Sequence, residues 1–437
     1  MNEEPAPKPS KIRRLKDSAF SGPAGTVFRG MATLAVGNIT ARVISLAAIP
    51  VLTRLYSPDD FGALAVFTSL IALLAPIITL RYVLALPLPR LDGMAINLLA
   101  LSASLMLCMS LIVGLGLWAF GVQLLGFFSM EVLAPYRWLI ILGLVGGGGY
   151  EILSLWATRK RAYKPIAKTT ATQSLLGNAI KLLLGFMTIK PLGLLIGQVV
   201  STSGGIASLW LHFRKDFAKN FRFLSFNRIK TVATHYRHFP IYRLPSQLLL
   251  AFSAQAPLLL TAIIYDAETT GQLGLALMAI SLPIGLLSDS MSKAYYAEIS
   301  NVGKKHPKRI RLITHSMLKR LLVISLPPAI LLALFGETLF ILAFGIEWQL
   351  AGQFAALLAA YLVFQFLQVP VSRILFVFEG HRLLLLLNVQ RTLLVLACFA
   401  AAYYWHLNAV KMVLAYAILL SVHYIASIFY MLRFIPR

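Results

Sequence analysis

Acid is what this chain has least of. Its 437 residues hold 16 Asp+Glu against 40 Lys+Arg, and only 13% are charged at all. That scarcity leaves no acidic metal motif and no acid-rich catalytic loop. Cysteine is nearly absent too: Cys108 and Cys398 lie inside separate apolar runs, form no metal pair by spacing, and are expected to be small core residues. No Gly-rich loop ends in Lys-Ser or Lys-Thr, which excludes nucleotide hydrolysis by that route. The histidines fall mostly in loops or at helix ends and suggest no ligand set.

Apolar sequence is abundant. The chain is 58% hydrophobic with a mean hydropathy of +0.77, far above a soluble domain. A membrane-spanning helix needs roughly 20 mainly apolar residues, and twelve such runs are present: 30–54, 60–87, 94–120, 136–158, 164–188, 191–213, 239–264, 269–297, 312–335, 350–378, 383–404 and 409–432. Residues 1–29 are polar and Pro-rich and are expected as a disordered cytoplasmic tail.

The net charge of +24 would suggest nucleic acid in a soluble protein. Here the cations cluster between apolar runs, so membrane topology is the better account and no nucleic-acid partner is expected. Counted from a cytoplasmic N-terminus, 32 cations fall on the inner side; the outer connections hold only Arg54, Arg137, Lys190 and Lys411. Positive loops stay inside, which predicts cytoplasmic termini and an anionic-lipid bilayer as the surrounding partner.

One stretch appears twice. IPVLTRLYSPDDFGALAV (Ile49–Val66) is echoed by LLTAIIYDAETTGQLGLAL (Leu259–Leu277), with Tyr56 on Tyr265, Asp59 on Glu268, Gly62 on Gly271 and Leu64 on Leu273. Each falls in the turn between the first two helices of a six-helix set. An even number of crossings makes the halves parallel repeats: an all-α membrane protein with six-helix lobes at 30–213 and 239–437, related by a pseudo-two-fold axis along the membrane normal. A basic amphipathic linker, 214–238, joins them. Two lobes with a cleft between them point to a transporter.

PVLTRLYSPDDFG, LRY at Leu80–Tyr82, LSLWATRKRAYKPIAK (Leu153–Lys168), YRHFPIYRLPSQLLLAFSAQAPLLL from Tyr236 and YYAEIS (Tyr295–Ser300) resemble the Wzx-type oligosaccharide-lipid flippases. These belong to the multidrug/oligosaccharidyl-lipid/polysaccharide exporter superfamily. The resemblance implies translocation of an undecaprenyl-pyrophosphate-linked repeat unit to the periplasmic leaflet of the bacterial inner membrane. The product would be O-antigen, capsule or another exopolysaccharide, made alongside a polymerase and chain-length machinery. The chain departs from that pattern at Val83, where the family commonly has glutamate, and at Gly146–Gly149, four glycines that would loosen helix four.

Such a cargo joins an anionic diphosphate to a long apolar tail, and forked arginine donors suit the diphosphate. Four cations fall inside the runs: Arg42, Arg81, Lys181 and Arg391. A charge at mid-membrane costs at least about 2.5 kcal/mol, so each needs a cavity or a partner. Arg42 shares a helix face with Asn38 and Ser45, Lys181 with Ser174 and Asn178, and Arg391 with Asn388. Lys181 and Arg81 lie close enough to the interfaces to snorkel instead. Arg243, with Gln247 and Ser246, either guards the inner mouth or anchors at headgroups. Glu151 is the candidate for proton coupling, with an ion pair to a neighbouring arginine as the alternative, and Asp289–Lys293 reads as a structural pair. No cofactor is expected beyond H⁺ or Na⁺ as a coupling ion. A drug antiporter of the same superfamily is the rival; it predicts an acid in the first helix, and the first helix here has Asn38 and Arg42.

Overall fold

The computed structural model describes residues 22–436. The expected tail lies outside the described residues through Ser21, as do the side chains of Asp289 and Lys293. Twelve long helices run in sequence: α1 Gly22–Leu55, α2 Pro58–Ile78, α3 Asp92–Phe127, α4 Arg137–Arg159, α5 Tyr163–Phe186, and α6, which is Leu192–Ser203 continued after a break as Ile206–Phe221. Then follow α7 Leu244–Ile264, α8 Ala267–Val302, α9 Pro307–Phe344, α10 Gln349–Val371, α11 His381–Tyr404 and α12 Ala409–Arg433. Ten stretches of the described residues are long and apolar enough to cross a membrane. α5 and α8 are not among them; α5 carries a run of polar residues from Gln173 to Lys181.

The two halves pack alike. In the first, α1 lies on α5, α5 on α6, α2 and α6 on α4, and α3 on α4; in the second, α7 lies on α11, α11 on α12, α8 and α12 on α10, and α9 on α10. This is the duplication expected from the echoed stretch, now seen as repeated packing.

The echoed residues themselves build the starts of α2 and α8. Ser57 caps α2, its Oγ accepting from the Asp60 N–H while Asp60 accepts from the Ser57 N–H, and Pro58 occupies the first turn. At the equivalent position Asp266 caps α8 by accepting from the Thr269 N–H at 2.7 Å. The preceding tyrosines each donate to a distant carbonyl: Tyr56 to Lys181 at 2.7 Å and Tyr265 to Leu407 at 2.8 Å.

The glycines of the echo meet each other across the lobes. A Cβ on Gly62 would stand 2.0 Å from the Ala267 carbonyl oxygen; a Cβ on Gly271 would stand 1.8 Å from that of Pro58. Pro58 and Ala267 are equivalent residues of the two repeats, so the contact is reciprocal, as a two-fold axis requires. Beside it the Trp348 Nε1–H donates to the Thr53 carbonyl at 3.0 Å and its ring meets Phe61 edge-on at 4.9 Å. Arg54 reaches the Ala343 carbonyl at 3.2 Å. All of this lies at the cation-poor end.

The apolar core has the matching shape. One cluster spans both lobes toward the cation-poor end, from Ile49, Leu52 and Phe61 to Leu273, Trp348 and Phe354. Toward the cation-rich end the core divides: Tyr82, Ala95, Trp156 and Phe217 in the first lobe, Ile299, Ile310, Phe366 and Ile374 in the second. The lobes are joined at one end and separate at the other.

Several sequence expectations shift. Run two ends as a helix at Ile78, because Leu80 and Arg81 take left-handed φ of 44° and 60°; Arg81 is therefore at a helix end, not inside a span. Gly146–Gly149 do not loosen α4, which runs unbroken. They admit neighbours: a Cβ on Gly146 would lie 2.5 Å from Ser203 and one on Gly148 2.7 Å from Ile78. Cys398 is in the core, but Cys108 is exposed on a helix apolar all round. The first part of the 214–238 linker continues α6 to Phe221, and its second part is the helix Phe226–His235. That helix docks on the first lobe, where Asn97 bonds the Phe223 carbonyl and the Ser225 N–H, and Tyr82 the Ala233 carbonyl.

Since two backbones already touch, Gly62→Ala or Gly271→Ala is expected to cost about 1–3 kcal/mol as an overpacking change. With native cysteines removed, a cysteine at Ser45 should become reactive to an impermeant maleimide from the cation-poor side in either variant; unchanged protection would show that this contact does not hold the end shut.

Candidate functional site

Between the lobes lies a cavity of about 680 Å³, walled by α1, α2, α5 and α6 of the first lobe and α7, α8, α10, α11 and α12 of the second. It holds three cations, Arg42, Lys181 and Arg391, and no carboxylate among the described lining residues.

Each cation is set by the packing of its helix. The predicted faces of α1 and α5 do meet: Ser45 and Ser174 hydroxyls lie 3.0 Å apart, Ser174 donates to the Ala41 carbonyl at 2.7 Å, and Asn178 donates to the Ser174 carbonyl at 2.8 Å. α5 and α6 close on small residues. A Cβ on Gly197 would fall 2.3 Å from Lys181 Cγ, and one on Gly177 1.8 Å from Ser201 Oγ. Lys181 is thereby buried, 7% exposed, with its Nζ donating to Gln198 at 2.8 Å. It turns into the cavity and does not snorkel.

Arg42 crosses to the other lobe. Its Nη1 lies 2.6 Å from where a Cβ on Gly285 would stand, so α8 makes room for the guanidinium by having no side chain there. Arg391 is steadied by a 2.8 Å bond from Nε to Ser253 Oγ on α7, leaving its other guanidinium donors available to the cavity.

Around Arg391 the second lobe supplies aromatic surface. Tyr361 lies 5.7 Å, centroid to centroid, from both Tyr416 and Tyr424, and Gln365 donates to the Tyr424 hydroxyl at 3.3 Å. Sequence reasoning missed these tyrosines, together with Gln198, Ser201 and Ser253. A tyrosine in an apolar run reads as core, and nothing in its spacing gives the direction of its hydroxyl.

Other expected site residues lie elsewhere. Asn38, exposed one turn from Arg42, does not line the cavity; neither do Arg243, exposed at the base of α7, and half-buried Gln247. Arg81 and Glu151 are brought together at 3.1 Å with side chains 12% and 31% exposed, away from the lining. The ion pair weighed for Glu151 is present, with Arg81 as the partner. Arg159, its nearer neighbour in sequence, pairs with Asp92 at 2.9 Å, and Lys160 bridges Asp92 and Asp216. These acids pin α3, α4 and α6 at the cation-rich end.

Twelve helices in two like lobes around a cationic cleft define a multi-pass membrane protein of transporter fold. The chain belongs to the polysaccharide biosynthesis protein family, whose profile matches residues 51–352. A comparison with curated protein sequences gives no match. Among solved structures, the lipid II flippase MurJ in an inward closed conformation is 14% identical over 92% of this chain and 86% of its own, with a TM-score of 0.67. A multidrug resistance MATE family transporter of the MOP superfamily, inward-facing, is 15% identical over 92% and 97%, with a TM-score of 0.62. An outward-facing MATE family structure is 16% identical over 97% and 98%, with a TM-score of 0.54. At these identities the likeness establishes the fold.

If Arg81–Glu151 is a structural pair, the half-buried charges depend on each other. Arg81→Met and Glu151→Leu should each destabilise the protein, and the double variant should recover at least about 1 kcal/mol relative to their sum. A thermal melt of the four proteins in detergent measures this; additive losses would break the pairing.

Proposed function

We propose that the protein is a flippase for undecaprenyl-pyrophosphate-linked glycan, carrying its head through the central cavity by alternating access. The observation that supports this most directly is the cavity's charge: three cations from both lobes and no acid among the described lining residues. Removing a diphosphate from water is costly unless cations replace its hydration. A unit pair about 6 Å apart contributes roughly 3 kcal/mol at an effective dielectric of 20. The amide and hydroxyl wall of α1, α5 and α6 offers donors for sugar hydroxyls, and the tyrosine wall offers ring faces with polar tips. Membership of the polysaccharide biosynthesis family fits such a cargo.

The drug-antiporter alternative needs a negative site for cations. α1 has none over its described side chains, and the cavity lining has none either. The cation-rich end, where the lobes have separate cores, is the cytoplasmic end by the positive-inside rule, so the cleft faces the leaflet in which the lipid-linked glycan is assembled. The reading places the protein in the bacterial inner membrane with both termini cytoplasmic. Glu151, being paired with Arg81, is given no role in coupling.

Arg42→Ala and Arg391→Ala are each expected to lower flipping of a lipid-linked glycan in proteoliposomes at least about tenfold, as loss of a charge-assisted hydrogen bond of about 1.5–3 kcal/mol implies. Arg42→Lys should rescue in part. Wild-type rates in both alanine variants, with protein folded and inserted, would overturn the reading.

A further inference from the structure

A second cavity, about 520 Å³, opens beside the first on its α9 flank. Its walls are Leu46 of α1, Ala279 and Ile280 of α8, Ile324 to Phe344 of α9 and Ala359 to Phe366 of α10, with Ser325 the one polar side chain among the described lining residues. Ser325 already donates to the Leu322 carbonyl within its own helix. The bay lies where α8 and α9, though consecutive, make few contacts among the described residues, and where Pro327 and Pro328 remove backbone donors from α9. Ile324 and Leu331 at its rim are half exposed, so the mouth faces lipid. Arg54 donates to the carbonyl of Ala343, one of the lining residues.

The bay and the cationic cavity share a wall. Leu362 lines both. On α1 the two are one turn apart: Arg42 lines the cavity and Leu46 the bay. Arg42 itself sits against Gly285 in the seam between α1 and α8. A ligand with an anionic head among the cations and a long apolar chain would have a route into hydrocarbon along that seam, past the guanidinium.

We infer that this bay holds the first stretch of the isoprenoid tail while the diphosphate occupies the central cavity. The inference rests on the proposed reading of that cavity. The bay gains nothing from apolarity alone, since lipid chains are as apolar as its walls; what selects the tail is its tether to the head next door. Because Leu46 belongs to one lobe and the rest of the lining to the other, relative motion of the lobes would reshape the bay and move head and tail together.

The full-length protein in nanodiscs would be irradiated with undecaprenyl diphosphate carrying a diazirine near the head end of its tail, and separately with a phospholipid carrying the same group in an acyl chain at equal mole fraction. Labelled peptides of α9 and α10 would be mapped. The isoprenoid is expected to label the bay at least about tenfold more than the phospholipid. Ala329→Phe should lose that labelling and most flipping, yet bind inorganic diphosphate in the cavity as wild type does, which also shows that it is folded. Equal labelling by the phospholipid, or undiminished isoprenoid labelling in Ala329→Phe, would overturn the assignment. Bay labelling without diphosphate binding to wild type would support the bay and overturn the reading of the cavity; diphosphate binding without preferential labelling would overturn the bay alone.

Discussion

The architecture depends on a contact between two backbones. At Gly62 and Gly271 the starts of α2 and α8 approach until neither glycine has space for a Cβ. In lipid, helices are not driven together by hydrophobicity, so van der Waals contact at small residues carries the association. Placing that contact at the cation-poor end lets one core cover both lobes there and leaves two independent cores at the other. The cleft is the geometric result. Duplication alone gives two lobes; the reciprocal contact joins them at one end and leaves them apart at the other.

The cleft is then available to residues that a membrane otherwise excludes. α5 could not sit in hydrocarbon with Gln173, Asn178 and Lys181 facing lipid. It is tolerated because its polar face turns inward against α1 and α6, where hydroxyls, amides and one buried ammonium satisfy each other. Arg391 is steadied in the same way by Ser253. The first lobe thus contributes hydrogen-bonding groups and the second a tyrosine surface. Repeats that pack alike have diverged where they face each other, giving the two walls different chemistry.

Much of this was legible in the sequence because charge is rare enough in a membrane to be informative. Arg42, Lys181 and Arg391 each lie in an apolar run with polar neighbours at helical spacing, and all three reach the cavity. The echo around Tyr56 and Tyr265 gave the repeat, and its glycines proved to be the lobe contact. Three kinds of feature were not legible. An apolar run with lipid on one side and core on the other has no amphipathic signal, so Tyr361, Tyr416 and Tyr424 were indistinguishable from packing residues. Arg81 falls outside a span because of left-handed backbone at Leu80 and Arg81, where no glycine marks the turn. Its pairing with Glu151 is 70 residues distant in sequence and has no local sign.

Under the proposed alternating access the cation-poor seal must open as well as hold. Its polar contacts are suited to that. Trp348 donates to the Thr53 carbonyl and Arg54 to the Ala343 carbonyl, and both acceptors can be taken up by water once the lobes part. A hydrogen bond exchanged for one to water contributes a net of only about 0.5–1.5 kcal/mol. The glycine contact adds dispersion over a short stretch and no interlocking side chains. Partly buried ion pairs are instead kept within the first lobe: Arg81 with Glu151, and Asp92 with Arg159 and Lys160. Ion pairs tie the helices of the first lobe, whereas the polar contacts between the lobes are ones that water can replace, so rigid-body rocking is the motion this division of polar contacts favours.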